Sequence, residues 1–111
     1  MSTNYQAGHD AEKRAAAYLR LNGFEILAMN WMTPRCEIDI VAQKGKRIYF
    51  VEVKYRQQST YGRGVDYITP RKLKQMAFAA ETWVWDNAWD GEYQLSVASV
   101  DDREIQFIDD L

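Results

Sequence analysis

Residues 36–54 read CEIDIVAQKGKRIYFVEVK, and the pairing of this stretch with itself decides the architecture. Two segments, 37–42 (EIDIVA) and 47–54 (RIYFVEVK), flank Lys44-Gly45-Lys46. Alternation of aliphatic and polar residues marks both as strands, and a two-residue turn at Gly45-Lys46, glycine first, suits a type II′ hairpin. Lys44 then pairs with Arg47, which carries Asp39 opposite Glu52 and Glu37 opposite Lys54 on one face. Ile38, Ile40, Val51 and Val53 take the other face. A three-residue loop would flip one strand relative to the other; the two-residue register keeps the aliphatics together.

Directly opposed residues bring their Cβ atoms to about 5 Å, where like charges repel. A divalent cation with hard oxygen ligands would relieve the repulsion between Asp39 and Glu52. The alternation Glu52-Val53-Lys54 also sets an ammonium beside the carboxylates. A metal and a lysine beside an open position can activate water against a phosphodiester, the metal stabilising charge on the phosphate and Lys54 positioning or deprotonating the water. The competing structural reading is a cross-strand salt bridge of Lys54 with Glu37, worth about 0.2–1 kcal/mol. It leaves Asp39 facing Glu52 unexplained.

Outward from the hairpin, residues 7–22 carry Gly8, Glu12, Ala15, Ala16, Leu19 and Gly23 at helical spacing, with Lys13, Arg14, Ala17 and Arg20 on the other side. Glu12 stands on the apolar stripe, where a carboxylate is costly unless paired; it is a further candidate metal ligand, or an edge residue reaching solvent. Phe24 to Met29 reads as a short strand, and 57–67 as a loop with Gly62 and Gly64. Thr69-Pro70 opens a second helix, Thr as N-cap and Pro at the first helical position. Its apolar stripe is Leu73, Met76, Ala77, Ala80, Trp83 and Val84. Residues 93–100 and 104–108 close the chain as two strands around Asp101-Asp102-Arg103. The order is α-β-β-β-α-β-β, a mixed α/β fold.

The chain has 111 residues, 47% of them hydrophobic and 27% charged, which fits one globular domain spanning 1–111. No apolar run approaches the roughly 18 residues of a membrane span, and MSTNYQAGHD lacks a signal-peptide pattern, so a cytoplasmic protein with no membrane partner is expected. Cys36 is the one cysteine and cannot form an internal bridge. The net charge of −2 hides an asymmetry: residues 1–75 hold 13 Lys/Arg against 7 Asp/Glu, and residues 76–111 hold 1 against 9. A basic front can present a positive face to a polyanion. Arg71, Lys72 and Lys74 crowd the start of the second helix, against the helix dipole, where a phosphate would offset their cost. Arg56 and Arg63 would extend that track, although ordinary solvated surface accounts for such charges equally. Trp83 belongs to the core stripe; Trp85 and Trp89 are open between core, base stacking and a dimer contact, and His9 reads as a surface residue.

The same residues resemble a known family. Gly8-His9-Asp10-Ala11-Glu12, Ala16-Ala17-Tyr18-Leu19 and Gly23 look like the opening of the YraN-type family of small bacterial proteins. Asn30-Trp31, Arg35-Cys36-Glu37-Ile38-Asp39-Ile40-Val41 and Phe50-Val51-Glu52-Val53-Lys54-Tyr55-Arg56 resemble its central signature, continued by Tyr61-Gly62 and Pro70-Arg71-Lys72. The resemblance covers about residues 8 to 80. It implies the restriction-endonuclease-like fold of the PD-(D/E)XK superfamily, a mixed central sheet flanked by helices, similar to archaeal Holliday-junction resolvases. It further implies Asp39 and Glu52 as the metal-binding acids, Lys54 as the superfamily lysine and Glu12 as the helix glutamate of the resolvase-like branch. The family usually has Gly before Glu-Ile-Asp; here Cys36 stands there and would crowd a close backbone approach.

The resulting expectation is an Mg²⁺- or Mn²⁺-dependent endonuclease acting on DNA, branched or otherwise structured. Its site is Asp39, Glu52 and Lys54 with Glu12, and its nucleic-acid contacts are Arg56, Arg63, Arg71, Lys72 and Lys74. The resolvase-like relatives suggest a homodimer, which can cut two strands symmetrically. The alternatives are a non-catalytic nucleic-acid-binding module on the same fold and an interaction protein using the acidic C-terminal part.

Overall fold

A computed structural model describes residues 4–56 and 68–111. The elements are α1 (Asn4–Leu21), β1 (Glu25–Thr33), β2 (Cys36–Lys44), β3 (Arg47–Tyr55), α2 (Pro70–Asp86), β4 (Glu92–Val100) and β5 (Ile105–Ile108). The strands form one sheet in the order β1-β2-β3-β4-β5. β3 and β4 are parallel and the other neighbours antiparallel. A parallel pair needs a crossover, and α2 lies in that connection. The order α-β-β-β-α-β-β is therefore the one expected from the sequence.

Both faces of the sheet are covered. Ala11, Ala15, Ala16 and Leu19 of α1 pack with Phe24, Ile40, Ala42, Val51, Ala98 and Val100 on one face. Ala79, Ala80 and Trp83 of α2 pack with Ile38, Val41, Ile48 and Phe50 on the other. This is why residues 38–42 are nearly continuous hydrophobic sequence: a strand buried on both sides has no solvent face to keep polar. Thr69 caps α2 by accepting from the Lys72 N–H at 3.0 Å, with Pro70 at the first helical position.

The hairpin register is the expected one from Lys44↔Arg47 to Ile40↔Val51. There the ladder ends. The Asp39↔Glu52 and Glu37↔Lys54 pairs expected from simple alternation do not continue it. The Val53 N–H donates instead to Asp39 Oδ2 at 2.8 Å. Ile38 consequently leaves the face of Ile40 and Val51 and joins Val41 and Phe50 on the α2 side.

β1 is longer than the expected 24–29, reaching Thr33. Two irregularities mask it in the sequence. The register shifts between Ile26 and Ala28, and Asn30 sits at a φ of 52°, a conformation Asn tolerates better than most residues. A tight turn at Pro34-Arg35 joins β1 to β2, with Thr33 Oγ1 accepting from the Arg35 and Cys36 N–H groups at 3.1 and 3.2 Å.

Of the stripe expected on α2, Met76, Ala80 and Trp83 are buried and Ala77 and Val84 half-buried. Leu73 is exposed, while Ala79 is buried beside Met76, Ala80 and Trp83. Trp89 is structural: its indole N–H donates to the Glu92 carbonyl at 3.0 Å, and a Cβ on Gly91 would stand 2.6 Å from its ring. Trp85 is 86% exposed.

Candidate active site

The end of the β2–β3 ladder creates the site. Asp39 leaves the pairing pattern there, Glu52 and Lys54 project from β3 two residues apart, and α1 brings Glu12 toward them. Asp39 is the most perturbed of these groups. Its carboxyl is pushed up from 3.8 to about 7, chiefly by burial and next by the negative charge of Glu52, with Glu12 adding to the rise. The Val53 N–H and the positive charge of Lys72 act in the opposite direction. Asp39, Glu52 and Glu12 therefore share one electrostatic environment, although they come from three separate elements.

Glu52 is held by two lysines at the same oxygen. Lys72 Nζ lies 3.2 Å and Lys54 Nζ 4.0 Å from Glu52 Oε2. Glu12 is the opposite case. Its Oε1 is buried and makes no hydrogen bond, with His9 Nδ1 at 3.5 Å. His9 lies beside Glu12 with its side chain 40% exposed, at the surface as expected. A spacing of three along α1 is the signal that links them.

A buried carboxylate oxygen without a donor, in a side chain whose charge reaches Asp39, suits a hard cation by its chemistry. Among the described residues, no group of three or more His, Cys, Asp or Glu side chains converges into a preformed metal cluster. The donor types fit Mg²⁺ or Mn²⁺, and the carboxylates would have to draw together to hold one.

A groove of about 620 Å³ adjoins the acids. It runs between the β1–β2 turn and the first half of α2, and its wall includes Arg35, Glu37, Arg71, Lys72, Lys74 and Met76. Glu37 and Met76 also line the small recess that holds Asp39 and Glu52, so groove and acids are contiguous. Of the expected cationic track, Arg71 and Lys74 stand exposed on the groove. Lys72 also lines the groove, with its ammonium 3.2 Å from Glu52 Oε2. The Arg56 N–H donates to the Val100 carbonyl at 2.8 Å and prolongs the β3–β4 pairing. Arg63 lies outside the described residues. Arg35 was not expected; it enters the groove because the Pro34-Arg35 turn places it there. Cys36 forms part of the same wall, its Sγ 3.3 Å from Thr33 Oγ1.

Comparisons with known proteins identify the family and the fold. The model of the Uncharacterised protein family UPF0102 matches residues 11–105. The chain belongs to the UPF0102 family. A UPF0102 protein of Pseudomonas fluorescens (strain Pf0-1) is 33% identical over 106 residues, covering 94% of this chain and 88% of the relative. One from Erythrobacter litoralis is 45% identical over 93 residues, covering 83% and 78%. Among solved structures, Archaeoglobus fulgidus Hjc, a Holliday junction resolvase, superposes with a TM-score of 0.62 at 23% identity, covering 92% of this chain and 76% of that one. This UPF0102 chain therefore has the restriction-endonuclease-like fold. Among the described residues, no helix is long and apolar enough to cross a membrane.

Proposed function

We propose that this protein is a metal-dependent endonuclease that hydrolyses phosphodiester bonds in DNA, with branched or structured DNA as its substrate. The observation that carries the reading is Asp39: a carboxyl raised to about 7 by burial, Glu52 and Glu12, at the head of a basic groove. Structural sites seldom gather acids in this way, and perturbed carboxyls in a cleft are typical of sites that bind cations or move protons. The resolvase-like fold supports the substrate class.

In this reading Asp39, Glu52 and Glu12 hold Mg²⁺ or Mn²⁺, which when bound supplies positive charge beside the scissile phosphate. Arg71, Lys74 and Arg35 position the backbone along the groove, the first two at the start of α2, where N–H groups and the helix dipole favour an anion. Arg56 and Arg63 would extend the track. Lys54 donates a hydrogen bond that orients the attacking water, whose proton leaves to a neighbouring carboxylate or to solvent. An ammonium has no lone pair to offer a metal, so Lys54 is not a ligand. A homodimer belongs to the reading, because a two-fold enzyme can cut two strands symmetrically.

The second reading, a nucleic-acid-binding module without catalysis, is favoured by one observation: Glu52 is already neutralised by Lys72 at 3.2 Å. Incubation with branched, flapped and linear DNA, with Mg²⁺ or Mn²⁺ and with chelator, separates the two. Metal-dependent products on a branched substrate are expected; their absence on every substrate at high protein concentration leaves the binding module.

A further inference from the structure

Lys72 is a charged residue on the buried stripe of α2, one turn before Met76 and in line with Ala79 and Trp83. Its backbone is fixed by the Thr69 cap at 3.0 Å, while its ammonium lies 3.2 Å from Glu52 Oε2, closer than Lys54 at 4.0 Å. It also forms part of the groove wall with Arg71 and Lys74. The side chain therefore has two anionic destinations within its reach: the Glu52 carboxylate, and any phosphate lying in the groove.

We infer that Lys72 is a built-in competitor of the divalent cation for Glu52, and that its transfer from Glu52 to a DNA phosphate couples metal loading to substrate binding. The inference rests on the metal-nuclease reading and deepens it. A dication and an ammonium at one carboxylate oxygen repel each other, so the cation binds at full strength only when Lys72 moves away. The four-carbon stem of lysine allows that movement without displacing the helix. A phosphate in the groove receives the released ammonium. Metal and DNA then both favour the same position of Lys72, and by linkage each must tighten the binding of the other by the same factor. Lys54 does not share this role, because it is tied to the strand that carries Glu52 and does not line the groove.

The test is Mn²⁺ titration calorimetry on the full chain, on Lys72→Met and on Lys74→Met, the last removing a charge from the same helix without touching Glu52. Lys72→Met should bind Mn²⁺ roughly fivefold more tightly, the upper range for releasing a partly exposed ion pair, and Lys74→Met should match the parent. A second series in a Lys54→Ala background, so that DNA stays whole, adds duplex DNA. The duplex should tighten Mn²⁺ binding when Lys72 is present and much less in Lys72→Met. Equal Mn²⁺ affinity in parent and Lys72→Met overturns the competition and leaves the nuclease reading standing. No Mn²⁺ binding by any of these proteins overturns both. Should Lys72→Met fail to fold, Lys72→Gln gives the same comparison, since it also removes the charge.

Discussion

The backbone N–H of Val53 donates to the side chain of Asp39 at 2.8 Å, so a carboxylate stands where a strand would ordinarily supply a carbonyl. The substitution is local, and it has two effects. It anchors Asp39 to β3 as firmly as sheet pairing would. It also stops the β2–β3 ladder at Ile40↔Val51, which opens the recess that Asp39 and Glu52 share.

Asp39→Asn keeps an oxygen for the Val53 N–H and removes one of the like charges. In chelator at neutral pH it should melt higher than the parent, by about 1–2 kcal/mol or roughly 4–8 °C, while cleavage is lost. Mn²⁺ should then raise the melting temperature of the parent and leave the variant almost unchanged. Thermal melts of both proteins with and without Mn²⁺ check this. A variant clearly less stable in chelator, with no metal shift in the parent, would make Asp39 a structural hydrogen-bonding residue.

The same carboxyl sets a pH dependence. Folded, Asp39 keeps its proton up to about pH 7, whereas the unfolded chain releases it near 3.8. Between those values the folded state binds more protons, so the Asp39 contribution to stability is full at the acid end and is lost as pH rises through about 7. Denaturant midpoints in chelator at pH 5 and pH 8 should show a larger loss for the parent than for Asp39→Asn. Equal losses would mean that Asp39 does not titrate in this window.

Lys54→Ala should bind Mn²⁺ at least as well as the parent and fail to cleave. Loss of both properties together would show that Lys54 shapes the acid cluster instead of acting on the water. Calorimetry with Mn²⁺ and a single-turnover cleavage assay on the same preparation provide the comparison.

Arg71→Ala with Lys74→Ala should weaken duplex binding and lower the slope of log K against log salt by about 1.8, the value for two lost phosphate contacts. Lys72 is left in place because its partner is Glu52. Fluorescence anisotropy over a salt series measures the slope; an unchanged value would place the DNA elsewhere on the surface.

Gly91→Ala should destabilise the fold by about 1–3 kcal/mol, as overpacking does, because the new Cβ would meet the Trp89 ring at 2.6 Å. Urea denaturation checks it, and Gly8→Ala in α1, where a Cβ meets no other part of the fold within 4 Å, is the opposite comparison and should stabilise by about 0.5–1 kcal/mol through helix propensity.

Much of this was legible in the sequence, for identifiable reasons. The hairpin register followed from the glycine-first turn at Gly45-Lys46, and the start of α2 from Thr69-Pro70, because each is a local rule. Glu12 stood out as a charge on an apolar stripe. Lys72 carries the same signal, in phase with Met76 and Trp83, but phasing α2 on Leu73 hides it; Leu73 lies one residue off the buried line. The extent of β1 was not legible, since a register shift and a left-handed Asn30 break its alternation. Nor was the fate of Ile38, whose change of face depends on a side-chain-to-backbone bond that periodicity does not encode.

The neighbours of β3 have a consequence for how the protein is made. One of them, β2, is reached through a two-residue turn, whereas the other, β4, pairs Arg47 with Glu92, 45 residues further along. During synthesis the acid-bearing hairpin emerges well before the strand that completes it. In that interval β3 offers an unpaired edge rich in Ile48, Phe50, Val51 and Val53, the kind of template on which nascent chains stick to one another. The charges spaced along it, Arg47, Glu52 and Lys54, interrupt that template. Charges that stand along the finished strand thus also guard the half-made chain, so neutralising them would be felt in the yield of soluble protein.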